Sequence, residues 1–203
     1  MQYIKLYEEN PNPREVEKII KILENGGNII YPTDSVYAMG CNALNARAIE
    51  KIYKYRGISA EKAHLSIMCY DLSNISEYAR VDNNQFKILK KNLPGPFTFI
   101  LEASNRLPKL YKHRKTVGIR IPDNNIVRTL IKELNAPLLT TSIKDEDEVI
   151  EYTTDPELIF ERYQNEVDAV INGGYGQNNP TTIVDLTSGE PEIIRQGIGQ
   201  LVV

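Results

Sequence analysis

Apolar positions along the chain recur alternately at a spacing of two and at a spacing near 3.6, which predicts strands and helices in turn. Residues 3–7 read as a first strand. Asn12-Pro13-Arg14-Glu15 then supplies an N-cap, a proline at the first helical position and an early glutamate. Val16, Ile19, Ile20 and Leu23 follow at i, i+3, i+4 and i+7, until Gly26-Gly27 stops the helix. Residues 28–31 make a short buried-strand pattern ending at Pro32. Ala48, Ile49, Ile52 and Tyr53 mark a second helix, opened by Asn45 and closed by Gly57. Further on, 65–69, 97–101, 117–121 and 138–141 read as strands, and 71–79 and 83–92 as helices, the second of these stopped at Pro94-Gly95-Pro96. Asp123 opens a helix with Ile126, Val127, Leu130, Ile131 and Leu134 on one face, and Asp155-Pro156 opens another. Residues 168–172, 182–186 and 192–195 are short strands. The order predicts α/β or mixed α+β layering, one open sheet with helices packed on it. Successive strands near the C-terminus make a purely parallel sheet a poor expectation. The acidic segment 144–151 is the expected mobile loop.

Composition adds bounds. With 203 residues, 41% apolar and 25% charged, the chain can bury a sizeable core, and disorder and collagen are poor readings. The length fits one domain over 1–203, with no repeat or linker in the pattern. Apolar runs fall far short of the ~20 residues a membrane span needs, and the N-terminus has no signal-peptide core, so the expected location is the cytoplasm. Cys41 and Cys69 read as small core residues, and His64 and His113 stand in no ligand spacing, so no metal site is expected. Charge is unevenly divided. Residues 1–122 hold 19 Lys and Arg against 12 Asp and Glu, while residues 123–203 hold 5 against 15. A basic half suits an anionic ligand, either phosphate or nucleic acid.

Familiar nucleotide motifs are absent: there is no GxxxxGK[ST], no GxGxxG after the first strand and no GxSxG. Instead the chain carries Tyr31-Pro32-Thr33-Asp34-Ser35-Val36-Tyr37, which crowds hydroxyls, a carboxylate and a rigid proline into one turn after a strand. In order there follow Lys54-Tyr55-Arg56, Pro94-Gly95-Pro96-Phe97-Thr98-Phe99-Ile100-Leu101, Val117-Gly118-Ile119-Arg120-Ile121-Pro122, Thr140-Thr141-Ser142, Thr181-Thr182-Ile183-Val184-Asp185 and Ile194-Arg195-Gln196-Gly197. This ordered set resembles the YrdC-like superfamily, the threonylcarbamoyl-AMP synthases of tRNA N6-threonylcarbamoyladenosine formation, over nearly the whole chain. The Tyr31–Cys41 segment, Ser66-Ile67-Met68-Cys69 and Ile171-Asn172-Gly173-Gly174-Tyr175 are most similar to its YciO-like branch.

The resemblance implies a twisted mixed sheet around a large basic cavity. It also implies a reaction in which L-threonine and bicarbonate or CO2 form a carbamate, the carbamate attacks the α-phosphate of ATP, and pyrophosphate leaves, with Mg2+ escorting the triphosphate. Such chemistry asks for placed cations more than for a strong base. By resemblance Lys54 and Arg56 are catalytic cations. Thr33, Asp34 and Tyr37 are threonine-binding residues, Asp34 either meeting the ammonium or capping its turn. Arg120, Thr141, Ser142, Thr182 and Arg195 meet the nucleotide, Arg120 alternatively serving a structural ion pair. Lys62 follows Arg56 at a wider spacing than the family's, with Ala63-His64 in place of the proline, and is a weak equivalent of the family lysine. After Ser142 this chain has Ile143-Lys144-Asp145 where the family usually continues Ala-Asn. The implied partners are L-threonine, bicarbonate, ATP and tRNA-modification proteins. Two other readings stay open: a double-stranded RNA- or rRNA-binding protein of the YciO-like kind, and a related adenylate- or carbamoyl-processing enzyme.

Overall fold

A computed structural model describes residues 1–57, 66–107, 114–143 and 151–203, with Glu151 and Tyr152 described by backbone alone. Its elements in chain order are β1 (Gln2–Lys5), α1 (Pro13–Glu24), β2 (Ile29–Tyr31), β3 (Ala38–Asn42), α2 (Ala46–Tyr55), β4 (Ser66–Met68), α3 (Leu72–Tyr78), β5 (Ala79–Arg80), α4 (Asn83–Asn92), β6 (Phe97–Ala103), β7 (Thr116–Arg120), α5 (Asn125–Leu134), β8 (Leu138–Ser142), α6 (Glu151–Thr154), α7 (Pro156–Tyr163), β9 (Ala169–Asn172), β10 (Thr182–Asp185) and β11 (Glu192–Arg195). The strands form one mixed sheet in the order β1-β9-β2-β3-β8-β4-β7-β6-β10-β11, with β5 paired to β6. The β1/β9, β2/β9, β4/β7 and β6/β10 pairs are parallel and the others antiparallel.

The helices begin where short polar side chains satisfy the first free amides. Asn12 accepts from the Arg14 amide, Asn45 from Ala48, and Asp82 forms a capping box with Gln85. The cap of α5 is Asn124, whose side chain accepts from the Val127 amide, rather than Asp123. The Asp123 amide, just ahead of the cap, serves the site described below.

Alternation along the strands sorts the core into two clusters. Ile30, Met39, Ile67, Phe99, Ile119, Leu139, Val170 and Val184 face one side, where they meet α2, α3, α4 and α7. Ile29, Tyr31, Ala38, Met68, Leu138, Ala169 and Ile171 face the other, under α1 and α5. Among the described residues this second cluster draws nothing from β6, β7, β10 or β11. There the same face carries Gly118 and Arg120, Thr98 and Ile100, and Ile183 by the period of two. On this half of the second face Thr98, Gly118 and Arg120 thus make a floor beside the half-buried Ile100 and Ile183.

Candidate functional site

The floor is shaped by what Gly118 omits. A Cβ there would collide with the Ser66 hydroxyl and crowd Thr98, its neighbours on β4 and β6. Across the floor the Thr98 and Thr181 hydroxyls hydrogen-bond each other at 2.9 Å. Arg195, at the end of the edge strand β11, stands opposite Ile183 and donates through Nη2 to the Thr181 carbonyl at 2.8 Å. Arg120, at the end of β7, is 5% exposed. Burial lowers the pKa of both guanidinium groups, and the positive charge of Arg195 acts on Arg120 in the same direction. Arg195 reaches the floor through Thr181, whose hydroxyl meets Thr98 beside Gly118.

Asp34 answers Arg120. The β2–β3 turn folds over this part of the sheet, and Arg120 Nη2 donates to Asp34 Oδ1 at 3.1 Å and to the Ser35 hydroxyl at 3.2 Å. The second Asp34 oxygen accepts from the Asp123 amide at 2.9 Å. Burial raises the Asp34 pKa, and Arg120 opposes that rise. Of the two roles left open for Arg120 the ion pair is the one formed, while its Nε, sealed from water, has no acceptor. The turn is tightened from within: Thr33 Oγ1 lies 3.1 Å from the Ser35 hydroxyl, accepts from the Ser35 amide and bonds the Val36 carbonyl. Beside it opens a cavity of about 410 Å³ whose described lining includes Glu8, Thr33, Asp34, Asp123 and Gln177, with Tyr175 at its mouth 81% exposed.

The other expected site residues fall in different places. Ser142 pairs with Ala38 on the second face, whereas Thr141, by the period of two, shares the first face with Leu139. Thr182 is fully buried on the side of Val184, and its hydroxyl donates to the Gly199 carbonyl and accepts from the Gly197 amide. That geometry anchors the segment after β11, and Thr181 occupies the floor in its stead. Tyr37 is also fully buried. Its hydroxyl donates to the Gly174 carbonyl at 2.7 Å and accepts from the Gly173 amide at 3.2 Å, so both its hydrogen-bonding functions are committed to backbone. Lys54 and Arg56 end α2 in the layer on the first face, and the described contacts do not join them to Arg120 or Arg195. Lys62 and the 144–150 part of the expected mobile loop lie outside the described residues. Cys41 and Cys69 are buried free thiols, as expected of core residues.

Sequence reasoning missed Ser35, Thr98, Thr181 and Asp123. For Thr181 the signal was present: Val184 and Leu186 belong to the core, so parity puts Thr182 inside and Thr181 outside. Among the described residues no group of three or more His, Cys, Asp or Glu side chains could hold a metal ion.

With this geometry in hand, the comparisons decide the family. The family model for Sua5, YciO and YrdC proteins, described as "Telomere recombination", matches residues 21–197. The chain belongs to the Sua5/YciO/YrdC family. It is 39% identical to YciO of Escherichia coli over 203 residues, covering 98% of this chain and 97% of that one, and the crystal structure of E. coli YciO superposes with a TM-score of 0.89. It is 35% identical over 198 residues to a Methanocaldococcus jannaschii protein named "Putative threonylcarbamoyl-AMP synthase", covering 96% of this chain and 92% of that one. The P. abyssi Sua5 structure solved with L-threonine shares the fold, with a TM-score of 0.84 at 22% identity, over 97% of this chain and 58% of that one. Within the YrdC-like superfamily this chain falls in the YciO branch. No described helix is long and apolar enough to cross a membrane.

Proposed function

We propose that this chain uses ATP to form threonylcarbamoyl-AMP, or acts on that same adenylate. Supporting this are the family, the relative named as a threonylcarbamoyl-AMP synthase, and above all the buried Arg120–Asp34 pair beside the hydroxyls of Thr98 and Thr181, with Arg195 held on the Thr181 carbonyl. Among the described residues Arg195 meets no carboxylate, and an anion would complement its charge.

The threonine amine adds to bicarbonate-derived CO2 and gives a carbamate. A carbamate oxygen attacks the α-phosphorus, the bond to the bridging oxygen breaks, and pyrophosphate departs with its electron pair. The chain's contribution is to hold the two anions together and to offset charge on the phosphoryl oxygens. Arg195 and the free edge of Arg120 serve that charge, Ser142 and Thr181 offer hydroxyls from the floor, and Thr33 fixes the turn against which threonine sits. Mg2+ enters with the nucleotide. The Asp34 oxygens are already engaged by Arg120 and the Asp123 amide, so that carboxylate is not set aside as a metal ligand. Lys54 and Arg56, expected as catalytic cations, stand in the layer on the other face of the sheet and take no step in this reading.

Pyrophosphate release measured with purified protein tests the proposal. Release should require L-threonine and bicarbonate together, with the adenylate seen by mass spectrometry. ATP turnover indifferent to threonine would end this reading.

A further inference from the structure

The way Arg120 is held carries a further step, resting on the reading above only in taking the ligand to be phosphoryl. Its guanidinium is buried, so each N–H needs an acceptor or remains costly. Nη2 has two hydrogens and two acceptors, Asp34 Oδ1 at 3.1 Å and Ser35 Oγ at 3.2 Å. Neither acceptor is free to swing. Asp34 is held through its other oxygen by the Asp123 amide, and Ser35 is tied to Thr33 by both its amide and its hydroxyl. Nε, on the other hand, is buried with no acceptor. Nη2 is thus fixed by the protein while a donor beside it is left over.

We infer that Ser35, together with Asp34, is a positioning residue: it sets the plane of Arg120 so that its N–H groups other than those of Nη2 are reserved for a bound anion, phosphoryl or carboxylate. Arginine offers such a fork with defined direction, whereas lysine supplies only a point charge. Ser35 acts through Arg120 and touches no reacting atom.

The experiment follows the arginine Nε–H groups by 1H–15N spectroscopy and measures binding by calorimetry, with inorganic pyrophosphate and acetate as probes. It uses the intact chain and the Ser35→Ala, Ser35→Thr and Arg120→Lys variants. The Arg120 cross-peak is the one missing from Arg120→Lys. Saturating pyrophosphate should move it in the unsubstituted protein. Ser35→Ala should weaken pyrophosphate about tenfold, the scale of one charge-assisted hydrogen bond, while Ser35→Thr, which keeps the hydroxyl, should stay within about threefold. A cross-peak moved by acetate but not by pyrophosphate would sustain the positioning role and remove the nucleotide reading. A cross-peak indifferent to both probes, or pyrophosphate affinity unchanged in Ser35→Ala, would overturn the inference. Equal losses in Ser35→Ala and Ser35→Thr with a lowered melting temperature would mark Ser35 as a packing residue and overturn it too.

Discussion

Arg120 and Asp34 keep only 6% and 8% of their side-chain surface in water, so each depends on the other for its charge to be tolerable. Removing one leaves the other buried and uncompensated, at a cost of about 3–5 kcal/mol. Asp34→Ala should therefore lower the urea-unfolding free energy by that order, whereas replacing both residues by aliphatic ones should cost much less. The pair also has a pH signature. Because the Asp34 pKa is raised in the folded state, the native protein takes up that proton before the unfolded chain does as pH falls. Its contribution to stability is present below the unfolded value and lost as pH rises through the raised one. Relative to Asp34→Asn, the intact protein should lose stability with rising pH just above the ordinary carboxylate range. The two thiols report the same physics at the alkaline end. Burial pushes Cys41 and Cys69 from 9.0 up to about 12, so stability should decline as pH climbs between those values, and at pH 8 both thiols should resist alkylation until the chain is unfolded.

At the scale of elements, most helices and strands were legible because their apolar positions keep a single period and their caps are ordinary. The strand β3 was not. Ala-Met-Gly-Cys-Asn has no β-branched residue, and its small members alternate with the core residues Met39 and Cys41, so it read as the tail of a turn. Its small side chains are there for a neighbour. A Cβ at Gly40 would run into the Tyr31 ring and the Leu139 carbonyl, and Tyr31 needs that space to lay its hydroxyl against the Met68 sulfur at 3.7 Å. Gly40→Ala should cost about 1–3 kcal/mol through this overpacking, measurable by denaturant titration, although it would raise strand propensity. Strand parity also explains the exchange of Thr182 for Thr181. Motif resemblance marks a segment, but only the register states which of two adjacent threonines shares the face of Thr98 and Arg120.

For the molecule as a whole, the sequence foretold a mixed sheet with helices on it, and that architecture is present. The assembly of the site was only partly readable. Arg120, Asp34 and Thr33 meet although they come from segments some 86 positions apart, which the family motifs anticipate. The partner each side chain chooses is a matter of three-dimensional packing: Asp34 took Arg120 and the Asp123 amide, and Tyr37 took the loop after β9. Arg195 is exposed and, among the described residues, is held by the Thr181 carbonyl and hydroxyl alone, which leaves it able to turn toward a ligand. Arg195→Ala should weaken ATP by about 1.5–3 kcal/mol in calorimetric titration while leaving unfolding nearly unchanged.

The Tyr37 phenol has one more effect. It bridges the β2–β3 turn to Gly173 and Gly174, and the Gln177 amide returns to the Ser35 carbonyl at 3.4 Å, so the two rims of the cavity are knotted into one piece. Breathing of that entrance must then lift both rims at once. The amides of Ser35, Gly173 and Gln177 should trade their hydrogens for solvent deuterium in step, and removing a single oxygen atom, by Tyr37→Phe, should set them to independent clocks.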